Sequence, residues 1–175
     1  MNRLLETGRS GLDRLASLYE AICIALLVAM LAMNALNIFS RGVLDAPLNW
    51  VWPWTMVAFM YWVMLAFFPL YQRRRDVSIY ILLQYLSPNA QRVLGVLVSV
   101  AIIVASGLLI QTFPGRVASM RGTIEMVGLP RMVLAWPLLA SAVPICLGAI
   151  IDALRIVTGA GYVPFGTIEI TEAPE

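Results

Sequence analysis

Four stretches of the chain carry no charged residue and are long enough to cross a bilayer: Ala21 to Phe39, Trp50 to Tyr71, Val93 to Phe113 and Met132 to Ile151. A hydrocarbon layer of about 30 Å takes roughly 20 helical residues, so each stretch predicts one transmembrane helix. The third helix is expected to begin ahead of its uncharged core, because Ser87-Pro88 joins an N-cap side chain to a proline suited to the first turn. The expected spans are about 21–39, 50–71, 90–113 and 132–151, in a single membrane domain over 1–175 with no room for a soluble domain. The first stretch exceeds the roughly 7–15 apolar residues of a secretory signal and follows a mixed-charge segment, so it reads as a permanent helix.

The segments between the runs are not simply polar. Residues 3–20 interleave Leu4, Leu5, Leu12, Leu15 and Leu18 with Arg3, Glu6, Arg9, Asp13 and Arg14, the pattern of an amphipathic helix lying on the membrane surface. Gly8 and Gly11 weaken that helix, and the competing reading is a frayed tail. Residues 73–86 join the cluster Arg73-Arg74-Arg75 to an apolar, tyrosine-bearing stretch too short to span, which predicts a second interfacial segment held to lipid phosphates. Residues 114–131 open on Pro114-Gly115 and close on Gly128-Leu129-Pro130, both breakers, and read as a surface helix or an ordered arm. Residues 156–175 read as a tail. The fold class is thus all-α integral membrane protein, with four transmembrane helices and interfacial amphipathic helices.

Composition agrees and narrows the chemistry. Of 175 residues 61% are hydrophobic and 13% charged, and mean hydropathy is +0.84, against about 25% charged in soluble domains. The chain has neither histidine nor lysine, which excludes histidine-ligated haem, Ser-His-Asp triads and Schiff-base chemistry. Cys23 and Cys146 are far apart in apolar surroundings, so they read as packing residues rather than a redox pair. No nucleic-acid partner is indicated, since the arginines do not form one basic stripe. No cofactor is called for.

Arginine placement predicts orientation, because positive residues near span ends are retained in the cytoplasm. Arg3, Arg9, Arg14, Arg73, Arg74, Arg75, Arg92 and Arg155 would share one side, and Arg41, Arg116, Arg121 and Arg131 the other. Both termini are therefore expected in the cytoplasm, with the first and third connections facing outward. None of the spans holds an ionisable group, which would be the default sign of an ion or proton pathway. Asn34, Asn37 and Arg41 share one helical stripe and are candidates for contact with a partner or lipid, the alternative being bonds to a neighbouring helix. Trp50 opens an interfacial aromatic belt with Trp52 and Trp54. Gly95 with Ser99, and Ala101 with Ala105, are small pairs that permit close helix approach, and Pro137 and Pro144 should bend the fourth span.

In their order and spacing these features resemble the small membrane subunit of tripartite ATP-independent periplasmic (TRAP) transporters. The matching residues are Asn37-Ile38-Phe39-Ser40-Arg41, then Pro47-Leu48-Asn49-Trp50, the basic turn Arg73 to Arg75, the stretch Val77 to Leu86 closing on Ser87-Pro88, and Gly128-Leu129-Pro130. Trp52 and Pro53 stand where the family commonly has acidic residues, and Asp76 where a histidine often follows the basic turn. The resemblance implies a non-catalytic subunit of a bacterial inner-membrane symport system for organic acids, driven by sodium. Its partners would be the large permease subunit, which carries the substrate and ion sites, a periplasmic substrate-binding protein, and lipids. Arg73, Arg74 and Arg75 would fix its depth in the membrane, and Asp45, Arg116, Arg121 and Glu125 would form a docking rim for the binding protein, the alternative for these four being solvated loop charge. A haem-free anchor subunit of another complex and a stand-alone small transporter are the competing assignments.

The orientation is open to a direct measurement. A cysteine replacing Ser119, in a background lacking Cys23 and Cys146, is expected to react with an impermeant thiol reagent in intact cells. Labelling only after lysis would reverse the assignment.

Overall fold

Helix formation follows the apolar runs but oversteps them at several ends. A computed structural model describes residues 2–73 and 87–158. Its four long helices are α1 (Asn2–Val43), α2 (Val51–Arg73), α3 (Pro88–Ser119) and α4 (Trp136–Thr158), the last entered through a 3-10 turn at Arg131–Ala135. Each is long and apolar enough to cross a membrane.

Two boundaries differ from the sequence expectation. Residues 3–20 are helical, but they do not form a helix separate from the first span: all 42 residues of α1 run without a break, roughly 63 Å at 1.5 Å per residue. Nothing between Leu18 and Ile24 breaks a helix, and the polar side chains of the first half find partners on other helices, as described below. The third helix likewise does not stop at Pro114-Gly115. It continues to Ser119, because a proline removes only its own N–H while the following N–H groups still find carbonyls one turn back. Ser87 caps its start, its hydroxyl accepting from the Ala90 N–H at 3.4 Å. The expected interfacial segment over 73–86 and the tail over 156–175 lie, beyond Arg73 and Thr158, outside the described residues.

The helices form an open row more than a closed bundle. α1 packs antiparallel on α2 and touches α4; α2 packs on α4; and α3 packs on the other side of α4. Small residues set the close approaches. Along the 3-10 turn and α4, Ala135, Ala142 and Ala149 recur every seven residues, as do Ser141 and Gly148, and all five are buried. A Cβ on Gly148 would lie 3.0 Å from Tyr71 Cε1, so only glycine fits there without a shift. On α3, Gly95, Ser99 and Ser106 are buried against α4, whereas Ala101 and Ala105 are exposed. The pair Gly95 and Ser99 therefore marks the packed face, and the alanine pair does not.

Two tyrosines make long-range hydrogen bonds to backbone carbonyls of the fourth helix and its entry turn, and a proline explains one of them. Pro144 has no N–H for the carbonyl of Ala140, and Tyr19 of α1 donates its hydroxyl to that oxygen at 2.8 Å. Val133 lies in the 3-10 turn, whose i to i+3 pattern gives its carbonyl the Trp136 N–H, and Tyr61 of α2 donates a further hydrogen bond to that oxygen at 2.8 Å. Tyr19 is oriented by an edge-to-face contact with the buried Phe68, centroids 5.2 Å apart. Ser141 adds a third link, its hydroxyl donating to the Met64 carbonyl at 2.6 Å.

Tyr19→Phe is expected to lower stability in detergent by about 1 kcal/mol, since it keeps the ring contact and removes the donor. Against a Pro144→Ala background, where the introduced alanine supplies the helical N–H, the same change should cost little. Thermal unfolding of the two singles and the double variant measures this, and equal losses in both backgrounds would contradict the account.

Candidate functional site

The charged side chains of the described residues gather at the two ends of the row. At the first end, Arg9, Asp13, Ser17 and Glu20 of α1 fall on one helical stripe, four, four and three residues apart. They face the last turn of α2 and Asp152 of α4. Arg9 pairs with Asp152 at 3.5 Å, and Tyr71 donates to the same carboxylate at 3.4 Å. Gln72 donates to Asp13 at 2.7 Å. Arg73 Nε donates to Glu20 at 2.7 Å while its Nη2 reaches Ser17 at 3.0 Å. This collar binds three helices at a common height.

The collar was not visible as a site in the sequence. Its members sit in three separate segments, and residues 3–20 have the pattern of a self-sufficient surface helix. The available signal was the stripe of alternating charge on α1, ending opposite the charges that terminate α2 and α4. Arg73, expected against lipid phosphate, is engaged within the chain. Arg74 and Arg75 lie outside the described residues.

At the opposite end, the α1–α2 connection is organised by the polar stripe of the first span. Asn37 accepts from the Leu48 N–H at 2.9 Å, and Ser40 donates to the Ala46 carbonyl at 2.6 Å. The Ser40 carbonyl accepts from the N–H groups of Leu44 and Ala46. Asn34 donates to the Met30 carbonyl at 2.8 Å and to Thr55 of α2 at 3.3 Å. These side chains close the turn, in which Asp45 adopts a positive φ of 51°. Arg41 and Trp50 are exposed beside it.

The segment between α3 and α4 is an ordered arm. Thr123 and Pro130 face each other in an antiparallel bridge, Ile124 N–H donates to the Leu129 carbonyl at 2.8 Å, and Arg131 N–H to that of Gly122 at 3.1 Å. Gly122 and Gly128 take φ values of 93° and 74°, which favour glycine. Arg116, Arg121 and Glu125 are exposed on or beside this arm, and Asp45 is exposed in the other connection. The fold puts the four at one end of the molecule, and among the described residues no ion pair joins any of them. Nor, among the described residues, do three or more His, Cys, Asp or Glu side chains gather there as an ion site.

Between the two ends, the flanks are apolar and uncovered. Only 11% of the most apolar window of α1 and 17% of that of α3 is buried, against 33% for α4. Val93, Leu97, Val100, Val104 and Leu108 form one exposed stripe along α3, and Ile24, Val28, Leu31 and Ile38 another along α1.

Glu20→Arg is expected to lower the unfolding temperature in low salt, since it sets two arginines together, whereas Glu20→Arg with Arg73→Glu should recover most of the loss. The partly exposed pair is worth about 1 kcal/mol or less, so the measurement belongs at low ionic strength. No recovery in the exchanged variant would mean that the pair does not hold the helices together.

The order of the helices and the connection around Asn37 to Trp50 can be set beside known proteins. The family model described as "Tripartite ATP-independent periplasmic transporters, DctQ component" matches residues 30–159, from mid-α1 to the end of α4. No curated protein and no solved structure matches the chain. Four helices able to span a membrane, an ordered turn and arm at one end, and a match over most of the sequence lead to one conclusion: the chain belongs to the DctQ family, the small membrane subunits of TRAP transporters.

Proposed function

We propose that the chain is the non-catalytic scaffold of a sodium-driven, binding-protein-dependent transporter for organic acids, in the bacterial inner membrane with both termini in the cytoplasm. Its role is to pack against the large permease subunit and to help dock the periplasmic substrate-binding protein. The observation that carries the reading is the open row. α1 and α3 present long apolar stripes on opposite flanks, while the ends are closed by hydrogen bonds and ion pairs within the chain. A rigid slab with apolar flanks is suited to holding the fixed part of a permease at constant depth and tilt while another part moves.

The charges support the same division of labour. The collar carboxylates Asp152 and Glu20 have arginine partners, and the uncharged cores of the spans offer no ion-binding side chain of their own. Substrate and sodium are accordingly assigned to the large subunit. The exposed rim formed by Asp45, Arg116, Arg121 and Glu125 suits a weak, salt-sensitive encounter with a soluble partner.

Extraction in mild detergent through an affinity tag on this chain is expected to bring down a larger multi-span permease. A stable lone oligomer that transports in liposomes would overturn the proposal. With the complex in hand, neutralising Arg116 and Arg121 together should slow capture of the binding protein at low salt and matter little at high salt.

A further inference from the structure

At the loop end, a groove of about 480 Å³ opens between the start of α2 and the arm, within the roughly 300–1,000 Å³ range of small-molecule sites. We infer that it binds one phospholipid whose headgroup carries a primary ammonium, with an acyl chain in the groove, the phosphate on Arg131 and the ammonium on Glu125. The walls are Met56, Val57 and Met60 of α2, Met120 and Ile124 of the arm, and Leu134 of the 3-10 turn. Three thioether side chains make a lining that adapts to a flexible chain.

The headgroup assignment rests on charge complementarity. Glu125 and Arg131 both line the groove, both are exposed, and neither forms an ion pair among the described residues. An anionic amphiphile would meet Glu125 as a like charge, and a cationic one would meet Arg131. A zwitterion satisfies both. The guanidinium fork of Arg131 matches a phosphate, and a primary ammonium offers N–H donors to the Glu125 carboxylate that a quaternary choline lacks. The bonds of Ile124 to Leu129 and of Arg131 to Gly122 hold the two charges on one closed loop. Trp52 also lines the groove and is 73% exposed beside Trp50 and Trp54, the residues that set a membrane interface, so the mouth lies at headgroup depth. The inference requires only that the helices span a membrane and is independent of the permease partnership; it gives Glu125 to the lipid and leaves Asp45, Arg116 and Arg121 to the docking rim.

The test uses the full chain with Trp52 as its sole tryptophan, Trp50, Trp54, Trp62 and Trp136 being replaced by phenylalanine. It is placed in phosphatidylcholine nanodiscs containing a minor fraction of brominated phosphatidylethanolamine or brominated phosphatidylcholine. Trp52 quenching is expected to saturate at a low fraction of the ethanolamine lipid and to rise only in proportion to the choline lipid. Arg131→Ala and Glu125→Gln should each weaken the ethanolamine response about tenfold, and Arg92→Ala at the other end should leave it unchanged. Should the single-tryptophan chain fail to fold, native mass spectrometry of the unsubstituted chain gives the same reading as an ethanolamine-lipid adduct lost on Arg131→Ala. Equal quenching by the two headgroups, or an adduct indifferent to Arg131 and Glu125, overturns the inference. So does loss of quenching by both lipids in the complex with the permease, which would place protein in the groove. Co-purification with the permease without a headgroup preference would defeat this inference alone and leave the proposed function standing.

Discussion

A carbonyl oxygen deprived of its helical donor has no water to turn to in hydrocarbon, and an unmade hydrogen bond there costs several kcal/mol. The fourth helix carries one such oxygen, because Pro144 lacks the N–H group that Ala140 would otherwise receive. It is answered by Tyr19 of α1, and Tyr61 of α2 adds a bond to the Val133 carbonyl in the turn that leads into the helix. This exchange sets the heights of α1 and α2 along α4, and much else follows from it. Gly148 must be small where Tyr71 crosses, Phe68 must be buried where it steadies Tyr19, and Ser141 can reach Met64. The gap that Pro144 leaves in the backbone pairing thus becomes a point at which a neighbouring helix is attached.

With these heights fixed, the ends close by ordinary electrostatics and turn chemistry. The first half of α1 runs alongside α2 and α4, so Arg9, Asp13, Ser17 and Glu20 meet Asp152, Gln72 and Arg73. The amphipathic pattern that suggests a helix lying on lipid is equally the pattern of a helix that sets its polar stripe against other helix ends. At the other end Asn37 and Ser40 perform as side chains what further backbone pairing would do in a longer connection. They complete the first turn within a few residues of the apolar run.

The sides are left unfinished. Among the described residues, α3 has only α4 as a substantial neighbour, and α1 leans chiefly on α2, so both show apolar stripes outward. In a membrane such stripes meet lipid or another protein, and a subunit of a larger transporter needs both kinds of surface. Between these flanks, the collar ties three helices together and the arm closes on itself, without a closed core. The open row and the uncharged span cores go together, since neither a closed core nor an ion pathway is built among the described residues.

How much of this was legible in the sequence depends on the range of the interaction. Length and absence of charge settle the four helices, because the bilayer imposes that requirement on any chain and reads each segment separately. The order of short motifs from Asn37 to Pro130 carries the family resemblance that the match over residues 30–159 bears out. Helix ends are a different matter when local signals are weighed alone: Pro114-Gly115 has the look of a stop, and residues 3–20 that of an independent helix, yet both are continuous with their spans. The use of each polar residue was not legible, since Arg73 finds Glu20 and Tyr19 finds Ala140 only when helices distant in the chain stand side by side. Four crossings thus follow from the order of residues with no knowledge of their neighbours in space. Which carbonyls are answered and which charges are paired follows only from the assembled helices, because those choices depend on the heights at which one helix meets another.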